Sequence, residues 1–581
     1  MLQFTGISAE EHCMFGLGIA DLSALLLYFV GITIAGVWTV RKVSDTADFF
    51  MGGRRFGKIF MIFFAFGAGT SGNDAVGVSS KTYTAGISGI WWQWLWLFCT
   101  PFYWLIAPVM RRMRAITTGD YFEYRYDGSM AGLYTIIGVF QLTLNIGILL
   151  LGAGSMVEAI TGGSVPKEYA IFAMTGMFLL YGLAGGLAAA IVTDLIQGIL
   201  TVILSFILLP FALHAVGGFE GLHQGIADPD MFKIVAPGEL NGFYISMLCL
   251  SALIGIVTQP HIMGVCAAGS SEMDGRVGFA TGNLLKRFCT VAWMVVGLCG
   301  IVLYPGLEDP KAMDQIYGNV AADLLPQVMP GLLGLFLAAL IASVMSSCDA
   351  FMVSSSGLFT QNFYRRWLVR DHNEQHYVLV GRIAAFCIVV GGLMFAFRFE
   401  NVTGGLLRFF QIQALMGAAF WLGLFWRRTT VAGAWAASIV GIILFLVPIY
   451  APGFDKWAVA NLPEYMIWDG KFRASYHTFL FLSGGFLSGI VVSLFTSRVP
   501  EERLTRVFEC IRTPVKDGEP HMPEPFMLPP EVAPAQPRKI INHPDFEIYY
   551  PSAVSLGGFA FLWVWVGVLI GFVYWMATWG A

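Results

Sequence analysis

Long apolar runs recur along the whole 581-residue chain, and they dictate its solvent before any motif is read. A helix needs about 20 apolar residues to cross roughly 30 Å of hydrocarbon at a rise of 1.5 Å per residue. Fourteen runs meet that length, near 15–40, 59–84, 89–110, 130–153, 168–185, 186–214, 241–265, 287–306, 331–363, 378–398, 403–426, 430–451, 475–497 and 552–577. The split between 168–185 and 186–214 rests on the Gly182–Gly186 break. With 56% hydrophobic and only 12% charged residues, the chain reads as an all-α polytopic membrane protein of about 14 transmembrane helices.

Charge gives the orientation. The loops after odd-numbered spans hold 25 of the 34 Lys and Arg, among them Arg54, Arg55, Arg111, Arg112, Arg114, Lys286, Arg287, Arg365, Arg366, Arg427 and Arg428. The opposite side carries seven, and Lys81 and Arg408 fall inside spans. The positive-inside rule then puts the odd-numbered loops in the cytoplasm and both termini outside, in a multi-pass protein of the plasma membrane. The first 14 residues, with Glu10, Glu11 and His12, are acidic, so the first span is expected to be a retained anchor rather than a cleaved signal peptide. The nine Cys show no paired or metal-ligand spacing and read as small buried hydrophobes.

Several function classes find no support. No phosphate-binding Gly loop, kinase box, zinc pattern or catalytic constellation appears, which argues against an ATP-driven pump, a fused sensor kinase or an enzyme. The one long polar stretch, 498–551, carries Pro at 514, 520, 523, 525, 529, 530, 534, 537 and 544 and is expected to be a weakly ordered linker over the cytoplasmic face. Nothing points to nucleic acid or to an obligate protein partner; the lipid bilayer is the surrounding medium.

Polar residues inside the apolar runs locate the chemistry. Along Leu340 to Gly357, Ser343, Ser346, Ser347, Asp349 or Ala350, Ser354 and Gly357 form one oxygen-bearing stripe at helical period. Hard cations take oxygen ligands, and an ionisable group at membrane depth is a functional signal because an unpaired charge there costs several kcal/mol. Small residues also permit close helix packing, the competing reading of the serines. The second run is interrupted by Gly67-Ala-Gly-Thr-Ser-Gly-Asn-Asp74, and irregular backbone at membrane depth is tolerated where it lines a cavity, with freed carbonyls able to bind an ion. A third intramembrane acid, Asp194, shares a helix face with Gln197.

These segments resemble the sodium:solute symporter family. The likeness is carried by Asp48-Phe-Phe-Met-Gly-Gly-Arg54, the broken second span, Gly185 to Gln197, Gln259-Pro-His-Ile262, Ala342 to Ser347 through Leu358 to Tyr364, and Gly423 to Arg428. The resemblance implies a LeuT-type core of five plus five helices in inverted repeat. Its segments would be 1–58, an extra helix and cytoplasmic loop; 59–214 and 215–428, the two repeats; 429–497, accessory helices; 498–551, the linker; and 552–581, a last helix. It implies Na+ as the transported coupling ion, held by carbonyls of Gly67, Thr70 and Ser343 and hydroxyls of Ser346 and Ser347. Asp194 matches the acid of a second sodium site found in some members. Asp349 stands where the family offers a hydroxyl, so Asp194 and Asp349 would bind a second cation or share a proton, unless Asp349 only contacts a neighbour.

The substrate positions implied by the resemblance are Asn73, Asp74, Gln93, Gln259, His261, Cys289, Arg408 and Gln411. Trp96 and Cys289 argue mildly against a hexose. Asp74 binding an amine and Arg408 a carboxylate would suit an amino acid, or a similar zwitterion or carboxylate; alternatively Asp74 pairs with Lys81 and only stabilises the break. The expected function is sodium-coupled symport of a small polar solute by alternating access, with sodium/sugar symport and proton-coupled symport as the alternatives.

Overall fold

A computed structural model describes residues 16–39, 45–235, 240–398, 411–520, 522 and 524–580. Their regular structure is helical apart from the short ribbon of Ile467–Trp468 with Lys471–Phe472. Among the described residues nine helices are long and apolar enough to cross a membrane, or eleven if two bent pairs each count as one span. That measure falls short of the fourteen expected, for local reasons. Run 89–110 is divided among short turns and the thirteen-residue helix Thr100–Arg112. Runs 168–185 and 186–214 lie in one helical stretch, Lys167–Ile207, broken at Gly186 by φ 58° and ψ −147°, a conformation open to glycine at little cost. Run 403–426 begins outside the described residues and ends in the helix Gly417–Phe425.

Burial separates the spans into centre and periphery. In the helix Leu332–Phe359, which carries the serine stripe, every residue up to Leu358 is buried except Leu335 and Ser354. It packs against Lys167–Ile207, Gly128–Ile160, Ile19–Thr39 and Glu374–Ala396. The terminal helix Ala553–Thr578 is apolar all round and mostly exposed, as a lipid-facing helix is.

Two expectations change here. The run at 287–306 belongs to a longer helix, Glu272–Leu303. Its start is set by a capping box in which Ser271 N donates to Asp274 Oδ2 at 2.9 Å and Asp274 N to Ser271 Oγ at 3.1 Å. Lys286 and Arg287, read above as loop cations, therefore sit about 21 Å along this helix, both buried. Segment 498–551 is also more structured than a loose linker. The helix Glu501–Arg512 buries Leu504, Val507 and Phe508 at helical spacing, and Glu519 forms a buried 2.5 Å ion pair with Arg114. Val515 N donates to Glu272 Oε1 at 2.6 Å, and Phe526 N to Met113 O at 3.0 Å. Acids in this segment meet the basic ends of the membrane helices, and amphipathic spacing within the Pro-rich composition supplies the rest.

Candidate functional site

Two bent helices frame the centre. Lys58–Ala68 and Gly72–Trp94 meet at 51°, and Gly242–Ile256 and Pro260–Ala267 at 69°. The first break spans Gly69 to Ser71. Asp74 restarts the helix by accepting Ser71 N at Oδ2, 2.9 Å away. Glycine lets the serine helix approach: a Cβ on Gly67 would overlap Ser346 Oγ and stand 3.2 Å from Asp194 Cγ.

Carbonyls of the break and of the serine helix converge on one hydroxyl. Ser347 Oγ lies 2.8 Å from Gly67 O, 3.4 Å from Thr70 O and 3.4 Å from Ser343 O. The Thr70 hydroxyl is buried with no hydrogen-bond partner. Ser343 turns its own hydroxyl elsewhere, accepting Gly72 N at 2.8 Å and donating to Leu340 O at 2.7 Å. Three of the five expected sodium-site residues thus bring a carbonyl to the hydroxyl of a fourth. The fifth, Ser346, is close by but donates to Asp194 Oδ1 at 2.5 Å.

Asp194 and Asp349 are both fully buried. They lie close enough to interact electrostatically, and Tyr28 of the first helix lies beside both. The Asp194–Gln197 face is shared between two neighbours, since Gln197 Nε2 donates to Tyr28 Oη at 3.1 Å. The second carboxylate oxygen of Asp194 is buried with no hydrogen-bond partner, an arrangement that leaves a lone-pair direction open to a cation or a proton.

Next to the break lies a cavity lined by Ser71, Asp74, Trp96, Asn145, Gln259, His261, Asn283, Lys286, Arg287 and Ser347, among others. Of the expected solute residues, Asp74, Gln259 and His261 are on its wall. Gln93 stands behind Asp74, donating Nε2 to Oδ1. Asn73 is not on the wall: its amide donates to Ile148 O at 2.9 Å and Leu149 O at 3.2 Å, tying the restarted helix to Gly128–Ile160. Cys289 and Gln411 are buried away from this lining, and Arg408 lies outside the described residues.

The alternative pairing of Asp74 with Lys81 does not form. Asp74 Oδ2 is 2.9 Å from Lys286 Nζ, which also donates to Gly69 O at the break; Lys81 lies over the Trp92 ring instead. Lys286 is the residue that sequence reasoning missed. The Ser271-x-x-Asp274 capping signal was the available clue, because it starts the helix at Glu272 and carries Lys286 to membrane depth.

Residues 49–441 match the family model described as "Sodium:solute symporter family". The chain is 28% identical over 506 residues to the sodium/glucose cotransporter of Vibrio parahaemolyticus, covering 78% of this chain and 89% of that protein. It is 24% identical over 493 residues to the osmoregulated proline transporter OpuE of Bacillus subtilis, covering 80% and 98%. Among solved structures, a Na+-coupled sialic acid symporter in a substrate-bound outward-open state superposes with a TM-score of 0.70 at 17% identity, covering 84% of this chain and 100% of that one. That likeness shows the fold, a LeuT-type helical membrane architecture.

Proposed function

Since the chain belongs to the sodium:solute symporter family, a family of multi-pass transporters rather than enzymes, we propose that it couples Na+ entry to uptake of a small carboxylate-bearing organic solute. Sodium-coupled movement of small solutes is the activity of the family; the ion ligands and the solute class are our reading. The observation that carries it is the set of three carbonyls, Gly67, Thr70 and Ser343, gathered within 3.4 Å of the Ser347 hydroxyl. Three carbonyls and a hydroxyl brought together at a helix break suit a dehydrated hard cation. Ser346 joins them if its hydroxyl turns from Asp194.

Ser347 also lines the cavity, so ion and solute share a wall. In this reading, Na+ entering from outside holds the broken helix against the serine helix and completes the pocket walled by Asp74, Gln259 and His261, with Gln93 behind Asp74. Rocking of one five-helix repeat, 59–214, against the other, 215–428, then releases both cargoes to the cytoplasm, with both termini on the outer side. A potential of 100 mV supplies about 2.3 kcal/mol per sodium before the concentration gradient is added.

Proton coupling draws on the Asp194–Asp349 pair and is the second reading. Uptake into proteoliposomes at fixed pH, with sodium replaced by choline, separates the two. Loss of uptake in choline supports sodium coupling; undiminished uptake driven by an inward proton gradient overturns it.

A further inference from the structure

We propose that this transporter supplies its own ammonium to the broken helix through Lys286, and that the solute it recognises is consequently an anion without an amine, gripped by Arg287. The inference rests on the symport reading above and narrows it to a solute class.

A cation or an amine entering the cavity would be drawn to two features, the freed carbonyl of Gly69 and the carboxylate of Asp74. Lys286 Nζ already occupies both. The carboxylate has little capacity left: Oδ2 takes Ser71 N and Lys286, and Oδ1 takes the Gln93 amide. A solute ammonium would have to displace a covalently tethered one in a site that is closed to water, since Lys286 and Asp74 are 5% and 6% exposed.

Arg287, the next residue, lines the same cavity and is 1% exposed. Its guanidinium reaches neutral groups, Gln93 O at 3.3 Å, Asn283 Oδ1 at 3.5 Å and the Tyr103 hydroxyl, stacks 5.9 Å from the Trp96 ring, and feels Asp74 only at longer range. Among the described residues no carboxylate pairs with it within 4 Å, and its Nε is buried without a hydrogen-bond partner. Burying a guanidinium without an anion is costly, whereas a carboxylate offers the bidentate geometry that repays it. The cavity walls thus hold one carboxylate and two cations, a net positive charge before sodium, whose own charge faces the buried Asp194 beside Ser346. An anionic solute balances that field.

The test is thermal unfolding of the purified full-length protein in sodium or choline chloride at fixed pH, with solutes matched in size and varied in charge. Lactate, alanine and lactamide form one series, and gluconate, glucosamine and glucose a second. In sodium, the carboxylate of at least one series is expected to raise the unfolding temperature, while its amino and neutral counterparts do not. Arg287→Gln should weaken that carboxylate response at least tenfold in apparent affinity and Arg287→Lys less, with folding of each variant read from its sodium-induced shift. Equal responses to the amino or neutral members, or none to either carboxylate, overturn the proposal while leaving sodium coupling intact. If sodium itself neither stabilises the protein nor supports uptake, the symport reading fails instead. Should the Arg287 variants not purify, the wild-type charge series decides alone.

Discussion

Ser346 Oγ donates a 2.5 Å hydrogen bond to Asp194 Oδ1, joining the serine helix to Lys167–Ile207 beside Gly67. Asp194 keeps its other oxygen buried and without a hydrogen-bond partner. The hydroxyl expected of the sodium site is therefore engaged by the acid proposed for the second one.

Removing the shared or the central hydroxyl should weaken sodium in different ways. Ser347→Ala deletes the oxygen around which three carbonyls gather, and a loss of about 1.4 kcal/mol corresponds to roughly tenfold in apparent sodium affinity. Ser346→Ala should weaken sodium less, because its hydroxyl is already engaged by Asp194. Sodium titrations of solute uptake check the order; a Ser346 effect larger than that of Ser347 would refute it.

Asp349 stands where the family resemblance implies a hydroxyl. Asp349→Ser is expected to change the sodium Hill slope or the pH dependence of uptake, since it removes one of two interacting buried carboxyls. Unchanged slope and unchanged pH profile would reduce Asp349 to a packing role.

Gly67→Ala should abolish transport. The added methyl would overlap Ser346 Oγ and crowd Asp194, an overpacking cost of about 1–3 kcal/mol. Lost uptake with a lowered unfolding temperature is the expected pair of readouts.

The Asp74–Lys286 pair is expected to be strongly stabilising against single loss. Asp74→Asn leaves a buried ammonium without its carboxylate, which costs roughly 3–5 kcal/mol. The double variant Asp74→Asn with Lys286→Met should recover part of that loss. Thermal unfolding of the two variants measures it, and a double variant no more stable than the single one contradicts the pairing.

Glu519→Gln should lower stability by about 3 kcal/mol, because Arg114 and Glu519 pair with side chains only 1% and 5% exposed. Unfolding temperature again reports it. A neutral result would mean that the 498–551 segment only drapes over the helix ends.

Much of this was legible in the chain. The break at Gly67 to Asp74, the reversal at Gly186 and the serine stripe are local signals of backbone freedom and helical period, and each appears where those signals put it. Span counting was less secure, because the run 89–110 divides into turns and a short helix that the apolar count alone joins. Asn73 illustrates a further limit: its amide serves the carbonyls of Ile148 and Leu149, and no local pattern distinguishes a packing amide from a binding one.

By itself, then, the sequence determined the solvent, the helical class and the two polar segments that had to lie within the membrane, because hydropathy, helical period and glycine content are properties of neighbouring residues. Tertiary structure alone decided which charges meet. Asp74 lies seven residues from Lys81, yet it pairs with Lys286, more than two hundred residues away. That choice depends on the packing of Glu272–Leu303 against the restarted helix, and burial then makes the nearest ammonium, rather than the nearest in sequence, the partner.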